Sequence, residues 1–151
     1  MESSQPDSAV LIRPAERRDG DAVYAFLCEL EHQLLDPTAF KTVFQRNLTA
    51  EGIYYLVAEL DNQLVGFVSC HIQYLLHHVG RIGEIQELFV VASHRNQRVG
   101  RQLINALDAL ARQHGLTNLE VTTNRTRADT HRFYERLGFV PTHYKFVKHY
   151  P

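Results

Sequence analysis

Six residues, Arg95-Asn96-Gln97-Arg98-Val99-Gly100, follow the apolar run Glu87-Leu88-Phe89-Val90-Val91 and open the helical pattern Arg101-Gln102-Leu103-Ile104. Strand, tight turn and helix in that order gather backbone N–H groups and the positive end of a helix dipole at one spot, which makes a receptor for phosphate. The chemistry this suggests is the holding of a ligand that carries a pyrophosphate, with the Arg98 guanidinium free to add to a phosphate. One loop with one glycine is a weak signal, because a helix start without any ligand uses the same pattern. Two carboxylates, Glu84 and Glu87, stand just upstream. A positioned carboxylate can accept a proton from a reacting group, so either is a candidate general base. Three apart in a regular strand, the two face opposite sides, and only one can line a cleft unless a β-bulge alters the parity.

Histidines 71, 77 and 78 invite a metal reading. His77 and His78 are adjacent, so in a strand they point to opposite faces, and no nearby Cys or acidic residue completes a tetrahedral set. A closed metal site is therefore not expected, and one His with Glu84 across a hairpin is the open divalent-metal alternative. The preferred role for a histidine such as His78, with Arg81 or Arg46, is to hold an anionic substrate group by charge-assisted hydrogen bonds.

Further on come Asn124 and the segment Thr130-His131-Arg132-Phe133-Tyr134-Glu135-Arg136-Leu137, closed by Gly138-Phe139. With the Arg95–Gly100 loop, this resembles the GNAT superfamily of acetyl-CoA-dependent N-acetyltransferases, which carries an Arg/Gln-x-x-Gly-x-Gly/Ala loop over the coenzyme A pyrophosphate and a later Tyr-Glu-x-x-Gly-Phe. The resemblance implies that acetyl-CoA is held by the backbone from Leu88 and Phe89 to Val90 and Val91. It adds Arg95, Asn96, Gln97, Arg98, Val99, Gly100 and Arg101, and further Asn124 and Tyr134. Glu84 is the preferred general base, with Glu87 the second choice. Tyr134 takes the general-acid position, where a phenol near 10 donates almost thermoneutrally to a thiol near 8.5. The chain departs from the pattern at Arg98, where the family has glycine, and at Asn96, where it often does. A side chain at 98 restricts backbone approach unless φ stays negative.

The block His77-His78-Val79-Gly80-Arg81-Ile82-Gly83-Glu84-Ile85-Gln86-Glu87-Leu88, with Tyr24, Cys28-Glu29-Leu30 and His131-Arg132-Phe133-Tyr134, looks like the aminoalkylphosphonate N-acetyltransferases. That narrower resemblance implies a small primary amine with a phosphonate end, acetylated by direct attack without an acyl-enzyme. Another amine (polyamine, aminoglycoside or protein amine) stays open, although the segments expected to line the acceptor side, Gln73–Arg81 and Phe40–Asn47, are not acidic. A non-catalytic coenzyme A-binding module is the alternative from a different class. Family membership also implies a homodimer.

At 151 residues the chain has one domain's length, and 16 Lys plus Arg against 17 Asp plus Glu leaves no net field for nucleic acid or an anionic membrane. No apolar run is long enough for a membrane span and the first residues lack a signal-peptide pattern, so a cytoplasmic protein is expected. Cys28 and Cys70 have no metal spacing and read as thiols.

The elements that must position these residues follow from periodicity. Residues 1–8 are polar and expected to be flexible, and the resemblance implies a single N-acetyltransferase domain over 9–151. Ala9–Arg13 reads as a strand before Pro14, and Val23, Phe26, Leu27 and Leu30 mark a helix from Asp19. Asp36-Pro37 caps a second helix through Phe40 and Phe44, and Asp61-Asn62 turns a hairpin. A strand over Ile82–Val90, a helix to His114, a strand at Leu119–Thr123, the Thr130–Leu137 helix and a last strand through Tyr144–Val147 complete the order. Together they predict an α/β (α+β) fold, a mixed, mostly antiparallel sheet flanked by helices. The splay of two central strands around the cofactor is supplied by the resemblance alone.

Overall fold

Strand pairing is organised by the turn at Asp61 and Asn62, both with positive φ (49° and 62°), the geometry of a two-residue hairpin that Asp and Asn tolerate. In the computed structural model, which describes residues 9–151, the turn joins β2 (Ile53–Leu60) to β3 (Gln63–Leu75). The segment 1–8, expected to be flexible, lies outside the described residues. β1 (Leu11–Pro14) lies antiparallel on β2, β4 (Gly80–Val90) antiparallel on β3, and β5 (Asn118–Val121) parallel to β4, giving the order β1-β2-β3-β4-β5.

Both faces of the sheet are covered. On one lie α1 (Gly20–Glu31) and α2 (Pro37–Leu48), whose Val23, Phe26, Leu27 and Phe44 pack on Val57, Phe67 and Phe89. Asp36 caps α2 by accepting the Ala39 N–H at 2.7 Å, with Pro37 in its first turn. On the other face α3 (Val99–Gln113) and α4 (Ala128–Arg136) bring Leu103, Ile104, Leu107 and Tyr134 onto Val68, Cys70 and Ile85. The predicted mixed, mostly antiparallel sheet with flanking helices is thus found.

The register of β3 on β4 slips once. Ser69 pairs with Glu87 and Cys70 with Ile85, so Gln86 is an extra residue, a β-bulge. Glu84, opposite His71, and Glu87, opposite Ser69, therefore share the α1–α2 face, and the opposite-face expectation of a regular strand does not hold. β5 pairs with β4 only from Ile82 to Ile85. Past the bulge, β4 runs on beyond the end of β5 at Val121.

The strand expected at Tyr144–Val147 is not formed. Residues 139–151 follow α4 without regular structure, and Tyr144 and Phe146 are each 93% exposed. A strand needs a neighbour for its backbone groups, and none within the described residues lies beside this segment.

Between β1 and α1, Arg13 donates twice to Asp19, from Nη1 at 2.8 Å and Nη2 at 3.0 Å, and its Nε reaches Glu59 at 3.0 Å. Burial pushes the Asp19 carboxyl up, but hydrogen bonds from Arg13 and the Glu16 N–H outweigh it and hold the carboxyl below its ordinary value. The stability this gives is present above the unfolded-state pKa and is lost as pH falls through the lower folded value. Arg13→Met should cost about 3 kcal/mol at pH 7 by leaving Asp19 buried without its partner. The deficit should shrink well below pH 4, and denaturant titrations at the two pH values would refute the account if the loss were equal at both.

Candidate active site

The first turn of α3 offers unused donors. Gln102 is the first residue whose N–H meets a backbone carbonyl, that of Arg98 at 3.0 Å, so the N–H groups of Val99, Gly100 and Arg101 have no intrahelical acceptor. Arg98 sits at φ 65° and Asn96 at φ 63°. The loop therefore keeps a glycine-like backbone despite both side chains, and the negative φ that would have spared Arg98 is not adopted; each such residue carries a cost on the order of 1 kcal/mol. Arg95 helps to hold the turn, its Nε on the Val90 carbonyl at 3.0 Å and its guanidinium 5.7 Å from the Phe89 ring centre. Gln97 does the same by donating to the Ser93 carbonyl at 3.3 Å. The first turn of α3 has no acidic residue, and Arg98 and Arg101 are exposed. Cations at the positive end of a helix repel it, and a bound anion would reverse the sign of that interaction. The residues therefore fit a pyrophosphate.

Gly100 lets α4 close on this turn: a Cβ there would stand 3.3 Å from Phe133 Cζ. The next residue, Tyr134, has its ring buried edge-on to Phe133 and Phe139, at 5.1 and 5.4 Å between centres. Burial pushes its phenol up to about 12, with Arg127 acting in the opposite sense. Among the described residues no group is hydrogen-bonded to the Tyr134 hydroxyl and no buried side-chain polar atom lacks a partner, so the hydroxyl reaches an opening. Asn124 is engaged elsewhere. Its Oδ1 accepts from the Thr126 N–H and hydroxyl at 3.0 and 2.8 Å, an Asx turn that leads into α4.

Across the sheet lies a cavity of about 470 Å³ between α1, α2 and the strands. Its walls include Val23, Leu27, Phe40, Phe44, Tyr55 and Phe67, and three carboxylates, Glu31, Asp36 and Glu87. Phe40 stacks on Phe44 and Phe44 on Tyr55, at 6.0 and 5.6 Å, and the Tyr24 hydroxyl fixes the corner between the helices on the Leu35 carbonyl at 2.6 Å. Glu87 is clamped by Ser69, which is fully buried: the Ser69 hydroxyl donates to its carboxylate and accepts its backbone N–H at 3.0 Å. Burial pushes the Tyr55 phenol up, and the Glu87 carboxylate adds to that rise, whereas Asn47 opposes it.

The predicted residues therefore divide. The structure brings Glu87 to the cavity; the bulge puts Glu84 on the same face, but Glu84 stands opposite His71, nearer the hairpin end, and is not in the cavity wall. His78 lies 3.5 Å from Glu120, Arg81 donates to the His114 carbonyl at the end of α3, and Arg46 is exposed in the last turn of α2. These three neither meet nor line the cavity. Of the segments expected there, Phe40 and Phe44 take part and Gln73–Arg81 do not. The wall is acidic because Glu31 ends α1 and Asp36 precedes α2, positions that only the helix–helix corner brings together. Ser69 and Arg127 were also missed. Arg127 Nη2 lies 3.5 Å from the Leu30 carbonyl, joining the start of α4 to the end of α1 beside Glu31. Nothing in their spacing marks either. Among the described residues, no cluster of three or more His, Cys, Asp or Glu side chains is arranged to hold a metal, and both cysteines are free thiols.

This geometry has relatives. A family model described as the acetyltransferase (GNAT) family matches residues 21–139. An aminoalkylphosphonate N-acetyltransferase of Salmonella typhimurium is 42% identical over 91% of this chain and 89% of its own. Among solved structures, a transcriptional regulator from Bacillus halodurans superposes with a TM-score of 0.88 at 23% identity, over 94% of this chain and all of that one. An aminoglycoside N-acetyltransferase solved with CoA superposes at 0.85 and 18% identity, over 95% of each chain. With the stretch of β4 that runs beyond β5, the donor-rich start of α3 and the tyrosine of α4 arranged as described, the chain belongs to the acetyltransferase (GNAT) family of N-acetyltransferases.

Proposed function

We propose that the protein transfers the acetyl group of acetyl-CoA to the primary amine of a small molecule, an aminoalkylphosphonate. One observation carries the reading. The bulge at Gln86 turns Glu87 into an aromatic cavity at the point where β4 loses its neighbour β5. The backbone of Leu88, Phe89 and Val90 would hold the acyl end of the cosubstrate, and Asn96, Arg98, Arg101 and the free N–H groups of Val99, Gly100 and Arg101 its pyrophosphate. Arg95 and Gln97 act by shaping that loop. Acetyl-CoA supplies an activated acyl group; the residues do the rest.

Glu87 takes the ammonium proton, directly or through water, leaving the nitrogen lone pair free to attack. The aromatic walls favour the cation until that moment. Tyr134 donates a hydrogen bond to the departing sulfur. With its phenol near 12, full transfer to a thiolate near 8.5 would run uphill by about 5 kcal/mol, so stabilisation by a retained proton replaces the thermoneutral transfer suggested by ordinary pKa values. The relative's name and the identity along nearly the whole chain support the phosphonate acceptor. Arg127 is assigned to the anionic end, since it sits beside the acidic cavity without lining it. A second reading, an acceptor with two or more ammonium groups, is favoured by Glu31 and Asp36 in the wall. Thiol release from acetyl-CoA with aminomethyl- and aminoethylphosphonate, polyamines and an aminoglycoside, with and without divalent metal, separates the two; coenzyme A binding with no release on any amine would leave a binding module.

Glu87→Gln should lower kcat/KM about 10²-fold or more and flatten the acidic limb of the pH–rate profile; an unaltered limb would return the role to Glu84. Tyr134→Phe should lower turnover about 10²-fold by the same factor from pH 6 to 10, with coenzyme A affinity nearly unchanged. A factor that varied across that range would contradict a tyrosine that stays protonated. Ser69→Ala removes the hydroxyl that orients the Glu87 carboxylate and should lower kcat/KM about tenfold with coenzyme A affinity nearly unchanged; unchanged turnover would remove the clamp from the mechanism. Arg127→Ala should raise KM for aminoethylphosphonate about tenfold while sparing an uncharged alkylamine. Equal effects on both acceptors would remove Arg127 from the anion site.

A further inference from the structure

The cavity wall holds a second polar group fixed in place. Tyr55 of β2 pairs with Ser69 of β3, and Ser69 pairs with Glu87 of β4, so the three stand in one row across the sheet on the face covered by α1 and α2. Among the described residues that line the cavity, Tyr55 brings the one hydroxyl. Its ring is held between Phe44, stacked at 5.6 Å, and Phe67, edge-on at 5.5 Å. Its oxygen accepts from Asn47 Nδ2, in the last turn of α2, at 2.7 Å. Asn47 thereby sets the polarity of the contact. An amide that donates to the phenol oxygen leaves the phenol proton free for another acceptor. Burial and the Glu87 carboxylate both push the phenol up, so the proton stays on the oxygen through the neutral range.

Glu87 faces the same row from the other side of Ser69. The Ser69 hydroxyl draws its carboxylate toward β3, whereas the side of β4 left open beyond β5 is the opposite one. A carboxylate drawn back in this way serves a nitrogen at the open side through a water. A water among aromatic walls needs two or more polar partners to keep one place. Glu87 is one, and the free proton of Tyr55, in the same row, is another. Of the remaining carboxylates in the wall, Asp36 is occupied by the Ala39 N–H and Glu31 lies at the end of α1.

We propose that Tyr55 is a positioning residue for deprotonation of the acceptor: its hydroxyl, held at the oxygen by Asn47, donates to the water that carries a proton from the ammonium group to Glu87. The water accepts from Tyr55 with one lone pair and from the ammonium group with the other, and it donates to the carboxylate. As an N–H proton passes to the water, a water proton passes to Glu87. The amine is left neutral with its lone pair free, Glu87 is protonated, the water is restored and Tyr55 keeps its own proton. This role rests on the acetyl-transfer reading with Glu87 as the base.

Steady-state kinetics on the full chain with acetyl-CoA and aminoethylphosphonate test it. Tyr55→Phe keeps both ring contacts and should lower kcat about tenfold at pH 7 while KM for the amine stays within about twofold. The deficit should shrink toward pH 10, where much of an alkylamine with a pKa of about 10 arrives neutral and needs no relay. Asn47→Asp turns the donor into an acceptor, draws the phenol proton out of the cavity and should cause a similar loss. In a Tyr55→Phe background the same Asn47→Asp change should cause no further loss, which separates the withdrawn proton from the added charge and from any weakening of α2. A deficit equal at both pH values overturns the role of Tyr55, as do losses that multiply in the double variant or a Tyr55→Phe chain at full rate. Should Tyr55→Phe fail to fold, Asn47→Asp decides alone by whether its deficit shrinks with rising pH. A wild-type chain that binds coenzyme A and transfers acetyl to no amine overturns the acetyl-transfer reading and this role with it.

Discussion

One inserted residue sets the geometry of the site. A regular β4 would alternate Glu84 and Glu87 to opposite faces. The bulge at Gln86 turns Glu87 onto the face of Ser69, Phe67 and the aromatic cavity, next to the point where β5 ends at Val121 and β4 runs on without that neighbour. The clamp by Ser69, which bonds both the backbone N–H and the carboxylate of Glu87, holds the irregularity in one arrangement. A fully buried serine next to a carboxylate has no other way to satisfy its hydroxyl, so its burial and the bulge support each other.

The second constraint lies at the start of α3. A loop that must present its N–H groups to one point uses left-handed residues, and glycine adopts that conformation without strain. This chain accepts the strain at Asn96 and Arg98. Arg95 on the Val90 carbonyl and Gln97 on the Ser93 carbonyl over-determine the turn, and the guanidinium of Arg98 remains in solvent. The arrangement costs stability in the free protein, because cations crowd a positive helix end. A bound anion would offset that cost.

Much of the fold was legible because its signals are local. Asp36-Pro37 and Asp61-Asn62 state a cap and a turn in two residues each, and the three- and four-residue spacing of Val23, Phe26, Leu27 and Leu30 states a buried helix face. The Arg95–Gly100 turn was readable as a helix start for the same reason, whereas Tyr134 was singled out through the family resemblance. What was hidden depends on relations between distant segments. Whether Glu84 or Glu87 lines the cavity turns on a one-residue register slip whose partner, Ser69, is eighteen positions away. Glu31 and Asp36 become a cavity wall only through the corner between α1 and α2, and Arg81 was lost as an anion holder because the end of α3 claims it. The strand pattern at Tyr144–Val147 was read correctly as composition, but a ladder needs a neighbour that the sequence does not name.

The cavity's charge bears directly on what an acceptor must look like. Three carboxylates among aromatic rings raise the affinity for an ammonium group and repel a phosphonate from the same space. An aminoalkylphosphonate therefore suits the site only in one orientation, its nitrogen inside at Glu87 and its anion outside the wall. A single short alkyl spacer makes that separation, and a cation at the rim must meet the anion there. Arg127 stands at the rim, tied to the end of α1, and the same side chain lies close enough to Tyr134 to oppose the rise of its phenol. Under the proposed reading one guanidinium serves both the acceptor's anion and the Tyr134 phenol. An acceptor without an anion forfeits that contact, and with it the means of fixing its nitrogen at the gap beyond Gln86.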